Sequence, residues 1–161
     1  MSFTLKPITG DDRAWVRQFI VDHWGADIVV GHGEVMRPHE HHGFVAFDGE
    51  DVVGVITYRI SDDACEVISL DSLREGQGIG TALMNAVMHA AKKHGFRRMW
   101  LITTNDNIHA LAFYQKRGFV MVALHRNAVN ESRKLKPSIP LIADNGIPIQ
   151  DELEMEMMLD V

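Results

Sequence analysis

Three glycines at alternate positions, Gly76, Gly78 and Gly80, stand between an apolar run ending at Leu73 and a long helical pattern. Glycine lacks a Cβ, so backbone N–H groups there can turn toward one point and let a ligand approach closely. The helix that follows adds its own unsatisfied amides and the positive end of its dipole, and the combination suits a diphosphate. A simple tight turn between strand and helix would use the same residue types. Thr81 follows Gly80 with no lysine, which excludes a Walker A loop. Counted from Gly76, the third glycine falls one residue early for the G-x-G-x-x-G dinucleotide fingerprint.

A second segment carries its own pattern. Asn107-Ile108-His109-Ala110-Leu111-Ala112-Phe113-Tyr114-Gln115-Lys116-Arg117-Gly118-Phe119 reads as a short helix closed by Gly118 at a left-handed C′ position. Asn107 and Tyr114 lie nearly two turns apart and project from a similar face. Glu75-Gly76-Gln77-Gly78-Ile79-Gly80 resembles the acyl-CoA loop Arg/Gln-x-x-Gly-x-Gly/Ala of the GNAT superfamily of N-acyltransferases. The Asn107 segment matches that family's N-x-x-A-x-x-F-Y-x-x-x-G-F, in the same order along the chain. Glu75 departs from the pattern, standing where Arg or Gln is usual, with Arg74 beside it.

The resemblance implies acetyl-CoA as co-substrate, held by Glu75, Gly76, Gln77, Gly78, Ile79, Gly80 and Thr81, with Asn107 and Tyr114 completing the site. It implies a backbone N–H near Leu70 for the thioester carbonyl, with Ser72 where proline is frequent. A donor of this kind is worth about 3 kcal/mol when aimed at a developing oxyanion. Tyr114 takes the place of the family's general acid, and a phenol of pKa near 10 suits a thiolate leaving group of pKa near 8.5.

Acyl transfer also needs a neutral amine. At pH 7 a lysine-like amine costs about 4.6 kcal/mol to deprotonate and an α-amine about 1 kcal/mol. Glu66 is the candidate base, acting through a water, and strand alternation puts it on one side with Ile68 and Leu70. The single cysteine, Cys65, then faces away from that carboxylate, so no covalent intermediate is invoked. His32, His39, His41 and His42, near Glu34 and Glu40, raise zinc as an alternative, but without a cysteine or an H-E-x-x-H spacing no metal is expected. A histidine from this stretch is an alternative base.

The elements that must position these groups follow from periodicity. Phe3–Ile8 alternates as a strand, and Asp11-Asp12 opens a helix carrying Trp15, Phe19 and Ile20. Residues 25–42 read as irregular. Phe44–Phe47 and Val52–Ile60 read as a hairpin around Asp48-Gly49, and Cys65–Leu73 is the strand feeding the glycine loop. A helix with Ile79, Leu83, Ala86, Val87 and Ala90 on one face runs to Gly95. Met99–Thr103 is apolar on both faces, as in a buried central strand. The Asn107 helix, a Phe119–Leu124 strand and a strand at about 151–160, with Glu152, Glu154 and Glu156 on its solvated face, complete the series. The expected fold is therefore α/β, a GNAT-like mixed, partly parallel central sheet flanked by helices. A single domain is expected over residues 1–161, with the motif-bearing part at 3–125.

Composition sets the outer bounds. The 161 residues are 46% hydrophobic, enough for one real core. A net charge of −6 argues against nucleic acid as a partner. One cysteine argues for a reducing compartment, and no apolar run approaches membrane-spanning length, so the expected location is cytoplasmic. The best reading is an N-acetyltransferase acting by direct attack on a small-molecule or peptide amine in a ternary complex. An acyl-CoA-binding sensor without turnover is the alternative that Glu75 favours. The apolar hairpin edge and the Met-rich final strand also allow a homodimer by strand pairing.

Overall fold

Val16, Phe19 and Ile20 recur at helical spacing and are buried, whereas Arg17 and Gln18 between them are exposed, which is the pattern of a helix with one face on a core. The computed structural model, which describes residues 2–160, builds them into α1. In chain order the elements are β1 (Thr4–Pro7), α1 (Arg13–Trp24), β2 (Val29–Gly31), β3 (Glu34–Met36), β4 (His42–Asp48), β5 (Asp51–Ser61) and β6 (Ala64–Ser72). These are followed by α2 (Ile79–Lys93), β7 (Arg98–Thr104), α3 (Ile108–Lys116), β8 (Val120–His125), α4 (Ala128–Leu135) and β9 (Glu152–Met158).

Two compact units hold these elements. The first takes the chain up to Ile28, Arg37–Met99 and the chain from Met158. Its strands lie in the order β1-β4-β5-β6, followed by the opening of β7, and β1, β4, β5 and β6 pair antiparallel. Helix α1 covers one face, where Val16, Phe19 and Ile20 meet Val45 and Val55. Burying each of these side chains contributes roughly 1.5–3 kcal/mol. Helix α2 covers the other face through Ile79, Leu83, Met84 and Val87. Gly54 on β5 is what allows that approach: a Cβ there would lie 2.7 Å from Cγ2 of Ile79 and 3.0 Å from Cδ1 of Leu83.

The second unit takes Val29–Met36 and Trp100–Met157. Within it the strand order is β7-β9-β8, and β2 and β3 form a separate antiparallel ribbon with Val30 opposite Val35. That ribbon falls inside the stretch 25–42 expected to be irregular. Its strands are three residues each, too short to show a period, and one end is fixed from far along the chain, where Glu152 accepts from the His32 amide at 3.1 Å. Glu152 is accordingly 2% exposed, which corrects its placement on a solvated face of the last strand. Strand β7 also differs from expectation: Met99, Leu101 and Thr103 are buried, while the residues between them are only half-buried. Of the elements expected from the sequence, the remaining strands and helices match to within a few residues at their ends; α4 is not among them.

Candidate active site

The site begins at the end of β6. Ser72 leads into an exposed turn in which Gly76 and Gly78 have φ of 75° and 79°, a region that side chains with a Cβ rarely enter. Nothing lies within 4 Å of where a Cβ would sit on either glycine, so the space above them is open. Gly78 is the N-cap of α2, and the first helical bond runs from the Ala82 amide to the Gly78 carbonyl at 2.9 Å. The amides of Ile79 and Gly80 precede that bond and have no acceptor inside the helix. Open space, left-handed glycines and a helix N-terminus together fit a diphosphate. Arg74 does not replace the cation that Glu75 lacks, because its guanidinium pairs with Asp48.

Behind the loop, β6 carries a polar strip. The pairing of β5 with β6 shifts between Thr57 and Tyr58: Thr57 faces Ser69, but Tyr58 faces Val67. One residue of β6, Ile68, is thus extra, and a bulge of this kind reverses side-chain parity on either side of it. Glu66 consequently shares its face with Arg59, Thr57, Ser69 and Asp71, the face that α1 covers, and not with Leu70 as plain alternation suggests. The contacts agree with that register. Glu66 is 2% exposed and accepts from Arg59 Nε at 2.7 Å, and the hydroxyls of Thr57 and Ser69 are 2.5 Å apart. Leu70 and Ser72 pair with Ile56 and Gly54, on the side that meets α2.

His41 closes one end of this strip. It follows the turn Pro38–Glu40, whose carbonyl at His39 accepts from Arg13 Nη1 at 2.7 Å. Burial, and then the charge of Arg59, hold the His41 imidazole below the usual histidine pKa, with Glu66 acting in the opposite sense. At the other end, Trp24 Nε1 donates to both carboxylate oxygens of Asp71 at 3.0 Å. Cys65 is buried, and burial followed by the charge of Glu66 pushes its thiol up to about 12, so it is not a nucleophile at neutral pH.

Tyr114 and Asn107 belong to the second unit. Asn107 is the N-cap of α3, its side-chain oxygen accepting from the Ala110 amide at 3.3 Å. Tyr114 is half-buried and packs edge-on against Phe113 and Phe119, with ring centroids 5.6 and 5.7 Å away. Its carbonyl accepts from the Phe119 amide at 3.1 Å, so the turn at Gly118 fixes the tyrosine backbone. The first unit brings together Glu66, Leu70, Ser72 and the whole of Glu75–Thr81. Among the described residues no group of three or more His, Cys, Asp or Glu side chains is arranged to hold a metal ion. Arg13, Arg59, Asp71 and Trp24 escaped sequence reasoning, and only the unusual arginine in the apolar run 52–60 signalled any of them.

A mixed α/β protein with an anion-ready glycine loop at a helix N-terminus is the class that fold and loop define. The acetyltransferase (GNAT) family model matches residues 10–119, and the chain belongs to that family. It is 50% identical over 139 residues to YxbD, an uncharacterized Bacillus subtilis protein, a match spanning 86% of this chain and 87% of the relative. In fold it is similar to an IAA acetyltransferase from Bacillus cereus, with a TM-score of 0.71, 20% identity and coverage of 98% of this chain and 100% of the other. It is likewise similar to an Elizabethkingia anophelis GNAT acetyltransferase with acetyl-CoA bound, with a TM-score of 0.69, 20% identity and 98% of each chain covered. The expected fold class, α/β with a mixed, partly parallel sheet flanked by helices, is the observed one.

Proposed function

We propose that the chain, acting as one catalytic domain, transfers an acetyl group from acetyl-CoA to a primary amine by direct attack in a ternary complex. The observation that carries this reading is the open, left-handed Gly76–Gly78 turn at the N-terminus of α2, in a chain of acetyltransferase family. The bound acetyl-CoA seen in a protein of the same fold supports the choice of donor. In this reading Glu75–Thr81 cradle the diphosphate through backbone amides, Asn107 and Tyr114 contribute to the cofactor site, and the Leu70 amide polarises the thioester carbonyl near Ser72. Arg59 fixes the orientation of Glu66, which takes the ammonium proton through a water, and the Tyr114 hydroxyl protonates the departing CoA sulfur. The C–N bond forms as the C–S bond breaks, so no enzyme-bound acyl group is needed. The cytoplasm remains the location in this reading; among the described residues no helix is long and apolar enough to cross a membrane.

Thermal unfolding with acetyl-CoA, and with NAD and ATP as controls, tests the donor. A ligand at 100 times its dissociation constant adds about 2.7 kcal/mol, which for a chain of this size raises the midpoint by roughly 5–11 °C. A rise with acetyl-CoA alone supports the cradle, and no rise removes it. Turnover then separates enzyme from sensor: Tyr114→Phe and Glu66→Gln each lower kcat far more than they weaken acetyl-CoA binding, and unchanged kcat would remove that residue from the mechanism.

A further inference from the structure

Two carboxylates stand on the α1-facing side of β6, and they are treated differently. Glu66 is met by the guanidinium of Arg59. Asp71, on the same face and directly before the glycine loop, is met by no lysine or arginine among the described residues; its hydrogen-bond partner is the single indole N–H of Trp24, shared between both oxygens, with His23 the one group whose charge acts on it. A carboxylate offers about four acceptor positions, so one shared hydrogen leaves most of that capacity unused. Burial raises the Asp71 pKa, a trend that the Trp24 bond and His23 only partly oppose, which marks a negative charge short of compensation. Trp24 is the last residue of α1, is 38% exposed, and is followed by Gly25 at φ 80°.

Resting on the acetyltransferase reading, we propose that Asp71 is the residue that binds the acceptor, receiving the N–H groups of a primary ammonium in the position that the Trp24 indole now occupies. Asp71 lies two residues beyond Ser69 on the face that carries Glu66, so an amine drawn to it approaches from the side of the candidate base and next to the Leu70 amide. An ammonium brings the positive charge that the indole lacks, so an ion pair with up to three N–H donors replaces a bond from one neutral donor. With Glu66 compensated by Arg59, the Asp71 charge disfavours an acceptor whose amine sits beside its own carboxylate. The substrate class is therefore a cationic alkyl amine without an adjacent carboxylate, with free α-amino acids disfavoured.

The indole N–H resonance of Trp24, assigned with Trp24→Phe, reads this directly. The full chain is titrated with n-butylammonium, and separately with glycine and with butyrate, each in the presence of CoA, which fills the cradle without reacting. A saturable shift of the Trp24 signal with n-butylammonium, absent with glycine and butyrate, is expected. In Asp71→Asn, calorimetry should show the affinity for n-butylammonium falling roughly tenfold or more. Trp24→Phe, which removes the competing donor, should bind it at least as tightly as the unaltered chain. An unmoved Trp24 resonance, equal affinity in Asp71→Asn, or glycine binding as well as n-butylammonium would each overturn the assignment. Failure of CoA itself to bind would instead strike the acetyltransferase reading, because the amine titration does not depend on turnover.

Discussion

Gly54→Ala tests the way the sheet positions the loop. The added methyl would sit 2.7 Å from Cγ2 of Ile79, 3.0 Å from the Asp71 carbonyl oxygen and 3.0 Å from Cδ1 of Leu83. None of these can yield cheaply: Ile79 and Leu83 are 1% and 0% exposed, and the carbonyl belongs to the strand that enters the loop. Gly54 has a negative or extended φ, so alanine suffers no backbone strain and gains about 0.4–1 kcal/mol from a less free unfolded chain. Overpacking costs about 1–3 kcal/mol and outweighs this, leaving a net loss of up to about 2.6 kcal/mol, so the midpoint should fall by up to about 10 °C. The displacement acts on the first residue of α2 and on the strand end together, so acetyl-CoA binding should weaken with stability. If its dissociation constant rises tenfold, the ligand's stabilisation at a fixed concentration drops from about 2.7 to about 1.4 kcal/mol. Calorimetry with and without acetyl-CoA measures both effects. Ile79→Ala alone should cost about 2–5 kcal/mol through its cavity, but in the Gly54→Ala background the methyl group partly fills that space. The double variant should therefore be more stable than the sum of the singles by about 0.5–3 kcal/mol. Simple additivity, or a Gly54→Ala chain with an unchanged midpoint, would refute the contact argument.

Arg59→Met leaves the Glu66 carboxylate 2% exposed without its guanidinium, and breaking a buried pair in this way costs about 3–5 kcal/mol. Denaturant unfolding should show that loss, with much of it recovered in Arg59→Met/Glu66→Gln; an unaltered midpoint in the single variant would mean the pair is not formed. Glu152 gives a pH effect whose sign is fixed. Burial raises its pKa above that of the unfolded chain, so its contribution is fully present below about pH 4.5 and is lost as pH rises through the folded value. Glu152→Gln, which keeps an oxygen for the His32 amide, should lessen that decline, whereas Glu152→Ala should cost about 1–3 kcal/mol by leaving the amide unpaired. Unfolding midpoints from pH 4 to 8 check both, and equal pH profiles for the unaltered chain and Glu152→Gln would refute the assignment.

What could be read from the sequence is what short stretches of chain decide. The glycine loop, the helix it opens and the Asn107–Gly118 helix depend on residues within a turn or two of one another, and each appears where its pattern puts it. The ribbon of β2 and β3 does not, because three-residue strands carry no period and their anchor, Glu152, lies 120 residues from His32. The Trp24–Asp71 bond spans 47 residues and is equally invisible to local patterns. The bulge in β6 is the most consequential of these features. With plain alternation Glu66, Ile68 and Leu70 would share a face. With Ile68 as an extra residue, Glu66, Ser69 and Asp71 line up on the α1-facing side, while Leu70 and Ser72 stay on the side of α2. One added residue thus lets a single strand present its two carboxylates to one face and still deliver its end to the glycine loop. A regular strand carrying the same residues would put Glu66 and Asp71 on opposite faces, because their separation of five is odd, and could not offer both to one acceptor.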